Sequence, residues 1–161
     1  MGKALKLEIE IGQFSLNELE SWQQELIKKA EEAALKAYAP YSEFQVGAAL
    51  LTHSGKVILG NNQENSAYPS GLCAERVAVF SAHAQYPNET YEAIAVTAKK
   101  LSDDHFISVT PCGSCRQVLS EMEDLQESPI SLMMSGSDGE VYISNNIEDL
   151  LPFKFSKKYL K

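Results

Sequence analysis

The chain has three cysteines, two in Pro111-Cys112-Gly113-Ser114-Cys115-Arg116 and one in Cys73-Ala74-Glu75-Arg76. A Cys-x-x-Cys pair at the start of a helix can turn both sulfurs toward one ion, and Cys73 brings a third thiolate from elsewhere in the chain. Structural zinc sites fill all four tetrahedral positions with protein ligands, whereas catalytic sites keep one for water. No fourth cysteine exists, and His53, His83 and His105 lie away from both motifs, so the donor set points to one Zn2+ per subunit with a reacting water. Glu75, two residues after Cys73, is a carboxylate suited to move that water's proton. Three thiolates leave the zinc site with surplus negative charge, which a nearby guanidinium can answer. The only two arginines, Arg76 and Arg116, both adjoin these cysteines, and both are expected to serve the site.

Composition narrows the partner. A chain of 161 residues that is 44% hydrophobic can bury the core of one domain, here taken as residues 1–161 with an N-terminal extension over 1–21 and a C-terminal arm over 150–161. The formal net charge of -8 opposes nucleic-acid binding, which draws on clustered Lys and Arg, so a small-molecule substrate is expected. The apolar stretches are too short for a membrane span. No secretory apolar block follows Met1, and three thiols suit a reducing compartment, so the expected location is cytoplasmic.

The elements that must position the cysteines can be read from periodicity. Leu5, Leu7, Ile9 and Ile11 alternate with charged residues and predict an edge strand over 5–11. Ser15-Leu16-Asn17-Glu18 has capping-box spacing and predicts the start of a long amphipathic helix ending near Ala39, before Pro40. Residues 44–51 and 56–61 read as a hairpin, and 62–71 as a polar loop. Helices are expected over 73–83 and 112–122, and strands over 93–98, 107–110, 130–134 and 141–143. Ser137-Asp138-Gly139 reads as a turn and residues 147–151 as a last helical turn. Alternating strands and helices with two hairpins imply a layered α/β domain with a mixed sheet. Cys73 and Cys112 then fall at helix starts, where the dipole favours thiolate over thiol.

The Cys-Ala-Glu and Pro-Cys-x-x-Cys arrangement resembles the zinc deaminase signature, in its all-cysteine form. With Tyr41-Ser42-Glu43-Phe44-Gln45-Val46-Gly47-Ala48-Ala49, Asn62-Gln63-Glu64-Asn65, Tyr68-Pro69-Ser70-Gly71 and the tail Leu150-Leu151-Pro152-Phe153-Lys154-Phe155, residues 24–155 resemble the small homotetrameric cytidine deaminases. The resemblance implies a three-layer α/β/α fold with a mixed five-stranded sheet, to which the N-terminal strand adds a sixth. It implies that Cys73, Cys112 and Cys115 bind zinc, that the activated water attacks C4 of cytidine or deoxycytidine, and that Glu75 protonates N3 and the departing amine. Asn62 and Glu64 would hold the ribose, Phe44 would pack near the base, the main chain of Ala74 would meet the pyrimidine edge, and Arg76 would bond to ligand sulfurs. Phe155 would reach a neighbouring subunit's nucleoside, in a homotetramer whose sites are completed by neighbours. The family usually follows that aromatic with glycine and proline, where this chain has Ser156 and Lys157.

Two other readings compete. A deaminase of a modified nucleoside, such as blasticidin, would share the zinc pattern, but is expected to lack the Asn62-x-Glu64 pair and Arg76. A non-catalytic zinc module would need a fourth protein ligand near either motif.

Overall fold

A computed structural model of the chain describes residues 2–136 and 139–160. Six strands form one mixed sheet: β1 Gly12–Ser15, β2 Phe44–Thr52, β3 Val57–Asn61, β4 Tyr91–Lys100, β5 Ser131–Ser135 and β6 Glu140–Ser144. Their order is β1-β6-β5-β4-β2-β3. The β4–β5 pair is parallel and the other neighbours are antiparallel. Three helices cover the sheet: α1 Ser21–Ala34 on one face, and α2 Ala74–Gln85 with α3 Gly113–Gln126 on the other.

The central strands have no polar face because both faces are covered. Along β2, Ala48 and Leu50 join the α2 and α3 side while Ala49 joins the α1 side; along β4, Ile94 and Val96 oppose Ala93 and Ala95. This two-sided burial makes the strands read as unbroken apolar runs. Small residues concentrate where helix meets sheet. A Cβ at Gly60 of β3 would stand 2.3 Å from the Ala74 carbonyl oxygen and 2.5 Å from the Ala78 nitrogen, so only glycine lets the first turn of α2 lie this close to the sheet. We expect Gly60→Ala to destabilise the protein by about 3 kcal/mol, the upper part of the overpacking range, in denaturant unfolding. A loss below about 0.5 kcal/mol, the size of an ordinary surface substitution, would show that the contact relaxes freely.

Several expectations shift. The N-terminal strand exists, but it is Gly12–Ser15 paired with β6, not residues 5–11. Leu5, Leu7 and Ile9 are exposed, so their alternation reflects no buried face. The Ser15/Glu18 capping box is present, yet it closes a 3-10 turn, Leu16–Glu18, and α1 starts only at Ser21 behind a second box formed by Glu20 and Gln23. That helix ends at Ala34 rather than near Ala39, because residues 35–39 turn so that the Tyr38 amide can bond to the Asn62 carbonyl. The strand expected over 107–110 reduces to one bridge, Ile107 to Ala98. The loop after β3 carries pairings of its own, Gln63 with Tyr38 and with Leu72, and a 3-10 turn, Tyr68–Ser70. The last helical turn appears as a 3-10 segment, Glu148–Leu150. Of the expected Ser137-Asp138-Gly139 turn, Ser137 and Asp138 lie outside the described residues.

Candidate active site

The parallel β4–β5 pairing places α2 and α3 side by side on one face, so their N-termini converge. Cys73 is the N-cap of α2 and Cys112 the N-cap of α3, both with extended backbone (ψ 155° and 165°). Cys115 lies in the first turn of α3 and is fully buried. The three sulfurs lie within 4.8 Å of one another, with Cys73–Cys112 at 3.8 Å and Cys112–Cys115 at 3.5 Å. Thiolates bound to one tetrahedral zinc at ~2.3 Å would lie ~3.8 Å apart, so the triangle fits a single ion. It offers three sulfur donors from the protein.

The surroundings bias these groups. Hydrogen bonding from Cys115, reinforced by the Arg76 guanidinium and opposed by burial, draws the Cys73 thiol down to about 5. The same sulfur pairing, together with burial and the Glu75 charge, pushes Cys115 up. Arg76 Nη2 donates to Cys73 Sγ at 3.6 Å, the contact expected from the sequence, while its Nε is buried without a partner among the described residues. Among the described residues, Arg116 makes no side-chain hydrogen bond to the sulfurs. Its Nε donates to the Pro111 carbonyl at 2.8 Å and its Nη1 to the Leu150 carbonyl at 3.0 Å.

Glu75 is only 4% exposed, yet it lines a cleft of about 700 Å³ that also contains Cys73, Cys112 and Arg76. Burial is the main reason its carboxyl is raised, and the neighbouring Cys73 charge adds to the effect. Because Cys73 is a cap with extended backbone, Glu75 is not turned to the far side of the helix as two helical steps would require. Ala74, between them, is fully buried, with its carbonyl over Gly60.

Across the cleft stand Phe44, Asn62 and Glu64. The Asn62 amide clamps β2, accepting from the Val46 N–H at 2.8 Å and donating to the Phe44 carbonyl at 2.9 Å. Glu64 accepts from the Tyr41 N–H at 2.9 Å, the Ser42 N–H at 3.3 Å and the Ser42 hydroxyl, and these bonds hold its carboxyl below the ordinary range. Both residues line the cleft and keep hydrogen-bonding capacity: one amide N–H and remaining oxygen lone pairs. Phe155 does not line its own chain's cleft; it is exposed and stacks on Tyr159 at 5.9 Å. Sequence reasoning assigned no role to Tyr41 and Tyr68, which meet edge to face at 5.8 Å in the cleft wall. The one signal for them was their position in the segments that flank Phe44 and Cys73.

Two helix N-termini that bring three thiolates beside a buried carboxylate, at the bottom of an open cleft, define a zinc-dependent hydrolase-type centre. The comparisons narrow that class. The family described as the cytidine and deoxycytidylate deaminase zinc-binding region matches residues 20–128, and the chain belongs to this family. A cytidine deaminase from Halalkalibacterium halodurans is 42% identical over 83% of this chain and 93% of its own length. One from Sporosarcina psychrophila is 40% identical over 85% of this chain and 93% of its own. A crystal structure of cytidine deaminase from Burkholderia pseudomallei superposes with a TM-score of 0.69 at 41% identity, covering 81% of this chain and 97% of that one. These matches agree with the α/β fold and the zinc centre read from the sequence. No helix among the described residues is long and apolar enough to cross a membrane.

Proposed function

We propose that the protein hydrolyses cytidine and deoxycytidine to uridine and deoxyuridine with release of ammonia, a pyrimidine salvage reaction. The observation that carries this reading is Glu75, buried beside the thiolate triangle yet open to a cleft wide enough for a nucleoside. Cys73, Cys112 and Cys115 would hold the zinc, which when bound acts as a Lewis acid and lowers the pKa of its water. Glu75 takes a proton from the water that adds to C4 and delivers it to ring N3. It then passes the second proton to the exocyclic amine, so that C4 keeps the oxygen and nitrogen leaves as ammonia. A shielded carboxylate with a raised pKa suits both transfers. Arg76 offsets thiolate charge, Phe44 packs beside the base, and the main chain of Ala74 meets the pyrimidine edge.

Asn62 and Glu64 take the ribose hydroxyls with their spare hydrogen-bonding capacity. The charged groups in the cleft wall are Glu64, Glu75, Arg76 and the Cys73 thiolate, and the Arg76 guanidinium already faces Cys73. That balance favours a neutral nucleoside over a 5′-phosphate. The active enzyme is a cytoplasmic homotetramer in which Phe155 of a neighbouring subunit covers each nucleoside; its exposure, away from its own chain's cleft, supports this role.

Turnover of cytidine, deoxycytidine and deoxycytidine monophosphate, followed by ultraviolet absorbance with zinc counted per chain, tests the reading. We expect both nucleosides to be converted and the nucleotide to be at least a hundredfold poorer; no turnover of either nucleoside would refute it. Glu64→Ala should raise KM for cytidine about tenfold, the size of one lost hydrogen bond to a charged group, with zinc content unchanged. An unchanged KM would remove Glu64 from the sugar.

A further inference from the structure

The turn of α3 that carries the Cys112–Cys115 pair is also where the C-terminal arm is fastened. Arg116 donates to the Leu150 carbonyl at 3.0 Å, and the adjacent Gln117 donates through Nε2 to the Phe155 carbonyl at 2.8 Å. About two turns further along, Asp124 takes Lys154 Nζ at 2.8 Å. Between the Leu150 and Phe155 fastenings the arm turns at residues 151–153, and Phe153, with φ 57°, supplies a left-handed bend. Arg116 simultaneously donates to the carbonyl of Pro111, the residue before the N-cap Cys112, so one guanidinium touches both the cysteine loop and the arm.

We propose that Gln117 and Arg116 are positioning residues that tie the Phe155 arm to the metal-holding turn, so that the two move as one unit. Arg116 sets where the arm leaves the body, and Gln117 sets where the Phe155 backbone stops and hence where its ring faces. The catalytic consequence rests on the proposed contact between Phe155 and the nucleoside; the tether itself does not.

The test uses full-length, zinc-loaded protein. Gln117→Glu removes the donor and sets a carboxylate against the Phe155 carbonyl, and Gln117→Met removes the donor at similar size. Zinc per chain and the thermal midpoint should match wild type, while trypsin cleavage after Lys154 and Lys157 should quicken at least fivefold. Stripping zinc from wild type should quicken the same cleavages. KM for cytidine should rise about fivefold in Gln117→Glu, and this effect should largely vanish in a Phe155→Ala background, since residues acting through one contact are non-additive. Cleavage at the wild-type rate in both Gln117 variants would overturn the tether. Full additivity with Phe155→Ala would overturn the claim that Gln117 acts through Phe155. If Phe155→Ala leaves KM unchanged while Gln117→Glu still frees the arm, the tether stands and the substrate contact falls.

Discussion

Glu75→Gln is expected to abolish turnover while zinc stays bound, with kcat lower by roughly 10⁴-fold, the upper range for loss of a positioned acid–base group. Glutamine matches glutamate in shape, so the first turn of α2 keeps its packing over Gly60. It cannot accept the water's proton or return it to a ring nitrogen. Nor does the neutral amide meet a hostile environment, because burial is what most raises the glutamate's pKa. The thermal midpoint should therefore change little. Rate and zinc content are measured on the same preparation. Turnover within tenfold of wild type would dismiss Glu75 as the shuttle, and loss of zinc would make it a ligand instead.

Cys115→Ser has the second large effect, through the metal rather than the proton. Cys115 is fully buried, and its sulfur completes the triangle with two N-cap thiols. A serine hydroxyl stays protonated near neutral pH and is a poor replacement for a thiolate donor. We expect zinc below a tenth of an equivalent per chain by atomic absorption, activity lost in proportion, and a thermal midpoint lowered as much as in chelator-treated wild type. A variant that retains a full equivalent of zinc would show that Cys73 and Cys112 suffice. The matching drop after chelation separates metal loss from a packing defect, because metal bound only to the folded state stabilises it.

How much was legible follows the range of each signal. The α2 and α3 helices, the β2–β3 hairpin and β4 to β6 appeared within a few residues of expectation because two-sided burial writes long apolar runs into the chain. The N-terminal segment misled. Residues 5–11 alternate as well as any strand, but alternation says nothing about whether a neighbouring strand is within reach, and the pairing with β6 fell instead on Gly12–Ser15. The capping box at Ser15 and Glu18 was real as a local motif, yet a 3-10 turn satisfied it and α1 began later. Arg116 illustrates the same limit at the site. Its nearness to Cys115 in sequence pointed to some service at the site without saying which, and the structure shows its guanidinium bonded to the Pro111 and Leu150 carbonyls.

From sequence alone came the donor set and its deficit: three thiolates, no fourth ligand, a carboxylate two residues along and an arginine one turn on. These are properties of residue type and short spacing, which need no knowledge of what packs where. Only the tertiary structure brought Cys73 within 3.8 Å of Cys112 across 39 positions, because the parallel β4–β5 pairing and the close seat of α2 on Gly60 decide where two helix N-termini meet. It also made Asn62 a clamp on β2, and it placed Phe155 outside its own chain's cleft. Both depend on contacts between segments far apart in the chain, and local periodicity carries no record of them.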